Sequence, residues 1–77
     1  MNTTKTLNKL IPKERGIVKS LDGKEQLIKK LLNMGITPGS ELSIVRLAPL
    51  GDPIVIKVKG YLLSLRKEEA KHILLEN

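Results

Sequence analysis

The chain's one histidine, His72, has Glu68 four residues before it and Glu76 four residues after it. On a helix, side chains four apart share a face, so His72 with either glutamate could hold a divalent metal weakly at a surface, bridging two molecules. The set is thin. Iron(II) or zinc asks for clustered His, Asp, Glu or Cys, and this chain has two scattered aspartates and no cysteine. If the last helix runs through His72, the ring lies about 160° around its axis from the apolar Ala70, and so reads as a solvated histidine. The metal candidates stop at His72, Glu68 and Glu76, and no cofactor is expected.

Other chemistries fare no better. Nucleophilic catalysis needs a nucleophile, a base and an orienting group within reach of one another, and no spacing supplies them. Glu68 and Glu69 are adjacent at the start of a helix, where they favour its N-terminal dipole over a role as an acid–base pair. Gly51-Asp52 has no glycine-rich phosphate cradle around it, and no Walker-type lysine motif exists. The chain reads as a non-enzyme, without GTPase activity of its own and without a tight iron site.

Two features suit binding instead. The segment Pro49-Leu50-Gly51-Asp52-Pro53 is partly apolar and stiffened by two prolines, which lowers the entropy lost when it docks. The basic pair Lys29-Lys30 lies on the outer face of a helix and could steer the module to an acidic partner or an anionic membrane surface. The net charge of +6 is uneven: residues 1–30 hold eight Lys or Arg against three acids, and the remainder six against five. Such a field also admits a rival reading, a basic barrel that binds RNA or another nucleic acid. Single-strand binders use aromatic stacking platforms, however, and the aromatic content is one tyrosine, Tyr61.

Seventy-seven residues are read as one domain, 7–75, after a loose N-terminus, 1–6. A chain of this size buries only about 60% of its unfolded surface, so its core must be small and, without Phe or Trp, aliphatic. The absence of cysteine excludes a disulfide scaffold, and no apolar run approaches the ~20 residues of a membrane span. The N-terminus lacks a signal-peptide apolar region, so a soluble, cytoplasmic protein is expected.

The elements follow from patterning. Leu7, Leu10 and Ile11 look like an apolar turn that lids the domain, closed by Pro12. A first strand is expected over 16–21. Asp22 is a candidate helix cap, with Glu25 three positions later. Over 24–34, Leu27, Ile28, Leu31, Leu32 and Met34 fall within an arc of roughly 160°, opposite Glu25, Gln26, Lys29, Lys30 and Asn33. Gly35 suits the left-handed residue that ends this helix, with Ile36 folding back as its apolar contact. Pro38-Gly39 suits the centre of a type II turn. Strands follow over 41–47 (Leu42 and Ile44 inward), over 54–58 and through Leu63 and Leu65, with a turn at Gly60-Tyr61. A helix over 66–73 should bury Ala70 and Ile73, and Leu74-Leu75 should close the sheet. Five short strands, one main helix and a short C-terminal helix make a mostly β, small α+β fold: a partly open antiparallel barrel of SH3-like type. The expected core includes Leu31, Leu42, Ile44, Ile56, Leu63, Leu65 and Ala70.

These residues carry a resemblance. Leu31-x-x-Met34-Gly35-Ile36-x-Pro38-Gly39, then Pro49-Leu50-Gly51-Asp52-Pro53-Ile54, then Gly60, then Leu63-Ser64-Leu65-Arg66 with Glu69-Ala70, resemble the FeoA family in order and spacing. The resemblance implies a small cytosolic accessory protein of ferrous iron uptake that docks on the cytosolic part of a FeoB-like transporter, at the inner face of the membrane. Weak self-association is a further expectation, and family-level transition-metal binding accompanies it. The same fold occurs as the C-terminal domain of iron-dependent repressors, and no DNA-binding helix-turn-helix is expected before it here. Two departures stand out: Lys29-Lys30 where arginine is common in the family, and Lys13 where a glycine often follows the proline of the N-terminal turn. The first bears on any contact that relies on the planar guanidinium fork.

Overall fold

The computed structural model describes residues 5–76. Six antiparallel strands form one sheet in the order β1-β6-β2-β3-β4-β5: β1 (Lys5–Thr6), β2 (Arg15–Leu21), β3 (Glu41–Leu47), β4 (Ile54–Val58), β5 (Tyr61–Leu65) and β6 (Ile73–Glu76). Helix α1 (Glu25–Asn33) joins β2 to β3, α2 (Lys67–Ala70) joins β5 to β6, and a 3₁₀ turn at Leu7–Lys9 follows β1. The sheet curls without closing, so β1 and β5 are its edges.

Two irregularities bend it. The β2–β6 register shifts between Val18 and Ser20, and the β3–β4 register between Ile44 and Arg46. An extra residue on one strand of a pair increases local twist, which is what a short sheet needs to wrap a core. Inward positions alternate as a half-buried strand requires: Leu42 and Ile44 on β3; Ile54, Ile56 and Val58 on β4; Leu65 on β5; Ile73 and Leu75 on β6. Leu7, Leu10, Val18, Leu31, Ile36 and Ala70 complete an entirely aliphatic core, with Leu21, Leu27, Met34 and Leu63 packed at its margin. Of the seven core residues named from sequence only Leu63 is half-buried, but on the apolar face of α1, also expected inside, only Leu31 is fully buried and Leu32 at its edge is 40% exposed.

The joint after α1 is held by a run of short main-chain hydrogen bonds. The Ile36 N–H donates to Leu31 O at 3.0 Å and the Gly35 N–H to Leu32 O at 3.0 Å, the paired bonds of a Schellman stop. Gly35 has φ +91°, and a Cβ there would strike the Tyr61 hydroxyl. Ile36 is fully buried. In the following turn the Ser40 N–H reaches Thr37 O at 2.9 Å, with Gly39 at φ +92° in its type II position. The Gly39 N–H then donates to Val18 O at 2.7 Å, and the Val18 N–H to Ser40 O at 2.9 Å, so the turn is stitched to β2.

Several sequence expectations are corrected. Lys5 and Thr6, read as loose chain, pair with Leu75 and Leu74 of β6, which makes six strands where five were expected; residues 1–4 lie outside the described residues. Ile11 does not join the lid and is 62% exposed, because the 3₁₀ turn ends at Lys9 and only Leu7 and Leu10 point inward. Asp22 does not cap α1. Its N–H bonds His72 O at 3.0 Å and its carboxylate turns to the His72 ring, so it extends the β2–β6 ladder, and Lys24 becomes the cap residue. Helix α2 stops at Ala70, and Ile73 is buried as the first residue of β6. Lys13 holds φ +76°, a left-handed backbone that accounts for a glycine suiting this position.

Candidate functional site

The loop 48–53 joins β3 to β4 and is braced at three points. The Ala48 N–H donates to Pro53 O at 3.1 Å, closing the base, and the Gly51 N–H donates to Ala48 O at 2.7 Å, folding Pro49 and Leu50 into a tight turn. The Asp52 carboxylate accepts the Lys67 N–H at 3.0 Å, tying the loop to the first turn of α2. A helix start leaves such donors without internal partners, so one bond both caps α2 and anchors the loop. The Asp52–Pro53 peptide is cis. At the apex Leu50 is 91% exposed, the most exposed large apolar side chain among the described residues. Pro49-Leu50-Gly51-Asp52-Pro53 thus forms one braced projection with a leucine at its tip and its aspartate spent on structure.

The second candidate surface divides. Lys29 is exposed and makes no ion pair among the described residues. Lys30 instead forms a hydrogen-bonded ion pair with Glu69, linking α1 to α2. That bond, helped by the Arg66 N–H, which donates to Glu69 Oε1 at 3.0 Å, pulls the Glu69 carboxyl below its ordinary pKa against an opposing contribution from burial. Sequence alone treats the two lysines as equals; the fold gives Lys30 a partner.

The metal candidates are not assembled as a helical set. His72 lies beyond the end of α2, and Glu76 is on β6, so spacing by four no longer places them on one helical face. His72 Nδ1 is 2.7 Å from Asp22 Oδ1, and Glu68 is 3.5 Å from Lys71 Nζ. Among the described residues no three His, Asp or Glu side chains converge on a metal position. Among the described residues no helix is long and apolar enough to cross a membrane.

Two features escape a one-dimensional reading. A groove of about 410 Å³ is lined by Arg15, Glu41, Leu42, Ser43, Lys57, Lys59 and Gly60; its cations come from three separate strands or turns, so no local run announces them. Arg15 Nη1 lies 3.5 Å from Glu41 Oε2 across its wall. The other is the open edge of β5, where Leu62 is 60% exposed. The only local sign of it is that Leu62 is out of phase with the inward pair Leu63 and Leu65.

Comparison with known proteins places this geometry. Residues 5–77 match the FeoA domain family. Over 70 residues, 91% of this chain, the sequence is 31% identical to a Porphyromonas gingivalis fusion of Fe(2+) transport protein A with the Fe(2+) transporter FeoB, of which the chain spans 8% of the length. The fold is similar to the FeoA-like protein of Clostridium acetobutylicum, with TM-score 0.90 and 41% identity, covering 99% of this chain and 88% of that one. It is also similar to the zinc-complexed FeoA of Stenotrophomonas maltophilia, described as a procaryotic SH3 domain protein, with TM-score 0.81 and 25% identity over 94% of this chain and 89% of that one. A family match over nearly the whole described chain, joined to a partly open, SH3-like sheet of the same shape, makes this chain a member of the FeoA family.

Proposed function

We propose that this protein is a non-enzymatic binding module of ferrous iron uptake that docks on the cytosolic part of a FeoB-like transporter. One observation carries the reading: in the Porphyromonas gingivalis relative, a FeoA region and FeoB share a single polypeptide. Covalent linkage holds two modules at high effective concentration, and such fusion favours partners that act together. The braced loop is the surface we assign to the contact. Its conformation is fixed before binding, so docking loses little chain entropy, and Leu50 presents an apolar anchor. Burying one leucine contributes about 1.5–3 kcal/mol, which is about 10- to 100-fold in affinity. Lys29 is assigned a lesser, steering role toward an acidic surface. The nucleic-acid alternative has less support, because Tyr61, the one aromatic side chain, donates its hydroxyl to Met34 O at 2.8 Å and is tied down beside α1.

A pull-down with the cytosolic domain of the partner transporter, in GDP and in a GTP analogue, tests the reading. Wild type should be retained in at least one nucleotide state. Leu50→Asp should lose at least tenfold in affinity, and Lys29→Glu should chiefly slow association and flatten its salt dependence. Failure of wild type to bind in both states overturns docking, and full retention of Leu50→Asp removes the loop from the contact.

A further inference from the structure

The two edges of the sheet are treated differently. Among the described residues edge β1 spans Lys5–Thr6 and carries a charge at Lys5; charge is a common way of blunting an edge. Edge β5, Tyr61-Leu62-Leu63-Ser64-Leu65, is five residues long, pairs with β4 without a bulge, and contains neither a charge nor a proline. It begins after the two-residue turn Lys59-Gly60, with φ +51° and +87°, flanked by the pair Val58 and Tyr61. A turn of this kind closes on a hydrogen-bonded pair, so Tyr61, Leu63 and Leu65 bond to β4 while the N–H and C=O of Leu62 and Ser64 point off the sheet. Among the described residues no turn, loop or cap hydrogen bond is made by those groups, and both residues are exposed.

The charges directly flanking this edge in sequence and across from it on β4 are basic. Lys59 precedes β5, Arg66 and Lys67 follow it, and Lys57 stands across from Leu62 on the outer face. The acids nearby each have a partner: Asp52 accepts the Lys67 N–H, Glu69 pairs with Lys30, and the exposed Glu68 lies 3.5 Å from Lys71. A strand added to β5 would lie two strand spacings, about 9.6 Å, from β4, within reach of Lys57 and an acidic side chain extended toward each other. A second copy of this chain is disfavoured as the occupant, since centred antiparallel pairing would bring the Lys59 turn of each copy toward the Arg66-Lys67 end of the other.

We propose that the β5 edge is a docking site for an extended segment of a partner protein in which apolar and acidic residues alternate. Main-chain bonds to Leu62 and Ser64 supply the attachment, and the surrounding cations select for acid. This site adjoins the base of the Leu50 loop at Lys67 but needs no assumption about the transporter.

The test uses the full chain and a capped, synthetic alternating valine–glutamate peptide, with a valine–lysine peptide as its counterpart. Backbone amide spectra and hydrogen exchange should show the glutamate peptide, and not the lysine one, shifting and protecting the amides of Leu62 and Ser64. Ser64→Pro removes one outward N–H without touching the β4 ladder, and should weaken binding about tenfold. Leu62→Glu, at an exposed site that leaves the core intact, should do the same by charge repulsion and serves if the proline variant is unfolded. Equal binding of both peptides, binding indifferent to both edge variants, or absence of protection at Leu62 and Ser64 overturns the proposal. So does a dimer that dissolves in Ser64→Pro with no peptide binding, which would make the occupant a second copy.

Discussion

The joint 35–40 and the loop 48–53 are built from similar residues and do opposite things. Each contains glycine and proline beside one large aliphatic residue, and each is pinned by several main-chain hydrogen bonds. In the joint, the bonds turn the chain back onto itself, and Ile36 disappears into the core. In the loop, they hold the chain away from the body, and Leu50 is almost wholly in water. The difference lies in what the bonds reach. The joint is bonded to α1 and β2, whereas the apex of the loop is bonded only to its own base and the base to α2. Rigidity serves packing in one place and presentation in the other.

The contrast is open to mutation. Ile36→Ala should cost about 2–5 kcal/mol, out of about 4–11 kcal/mol for a domain of this length; thermal or urea unfolding reads it directly, and an unchanged midpoint would remove the joint from the core. Gly35→Ala should cost about 1–3 kcal/mol, since it forces a side chain into a left-handed backbone against Tyr61; the Tyr61 ring resonances should move with it. Asp52→Ala should cost about 0.5–2 kcal/mol as a lost helix-end bond and raise amide exchange at Lys67. If Lys67 stays equally protected, the loop is not braced through Asp52.

Acid should probe the same corner. The folded-state pKa of Glu69 is lowered, so the unfolded chain takes up its proton first as pH falls. The stability from the ionised side chain is therefore present above the ordinary value of 4.5 and lost as pH drops through the lower folded one. The gap in Tm between wild type and Glu69→Gln should be open at pH 7 and narrow below about pH 4.5. The smallest effect belongs to the tip: Leu50→Asp should change stability by no more than about 0.5 kcal/mol. A larger loss there would mean that the leucine packs against the body, and the contrast would fail.

Why the joint was readable from sequence and the loop's neighbours were not has a physical reason. Left-handed glycine stops, Pro-Gly turns and sorted helix faces are local; Gly35, Pro38, Gly39 and the α1 stripe declare themselves within a few residues. Strand alternation likewise placed Leu42, Ile44, Ile56 and Leu65 inside. What failed depended on partners far along the chain. Asp22 looked like a cap because its true contact, His72, is fifty residues on. Lys30 looked free because Glu69 comes from another helix, and Lys5–Thr6 looked loose because a two-residue strand has no pattern of its own. Of the candidate contact surface, the stiffness of 49–53 was legible in its prolines, while the exposure of Leu50 and the bare edge of β5 required the sheet order.

That order has a consequence for how the domain comes into being. β6 is the last strand along the chain, yet it lies inside the sheet, flanked by β1 and β2. No stretch ending before residue 73 can complete the sheet, since Val18 and Leu21 would lack their neighbours Leu75 and Ile73. Assembly must therefore wait for a strand-insertion step between segments distant in sequence, which slows folding relative to a helical protein of equal length. During synthesis on the ribosome, a nascent chain of this domain stays unfinished until β6 has emerged, and its free strands are then most exposed to capture by other chains.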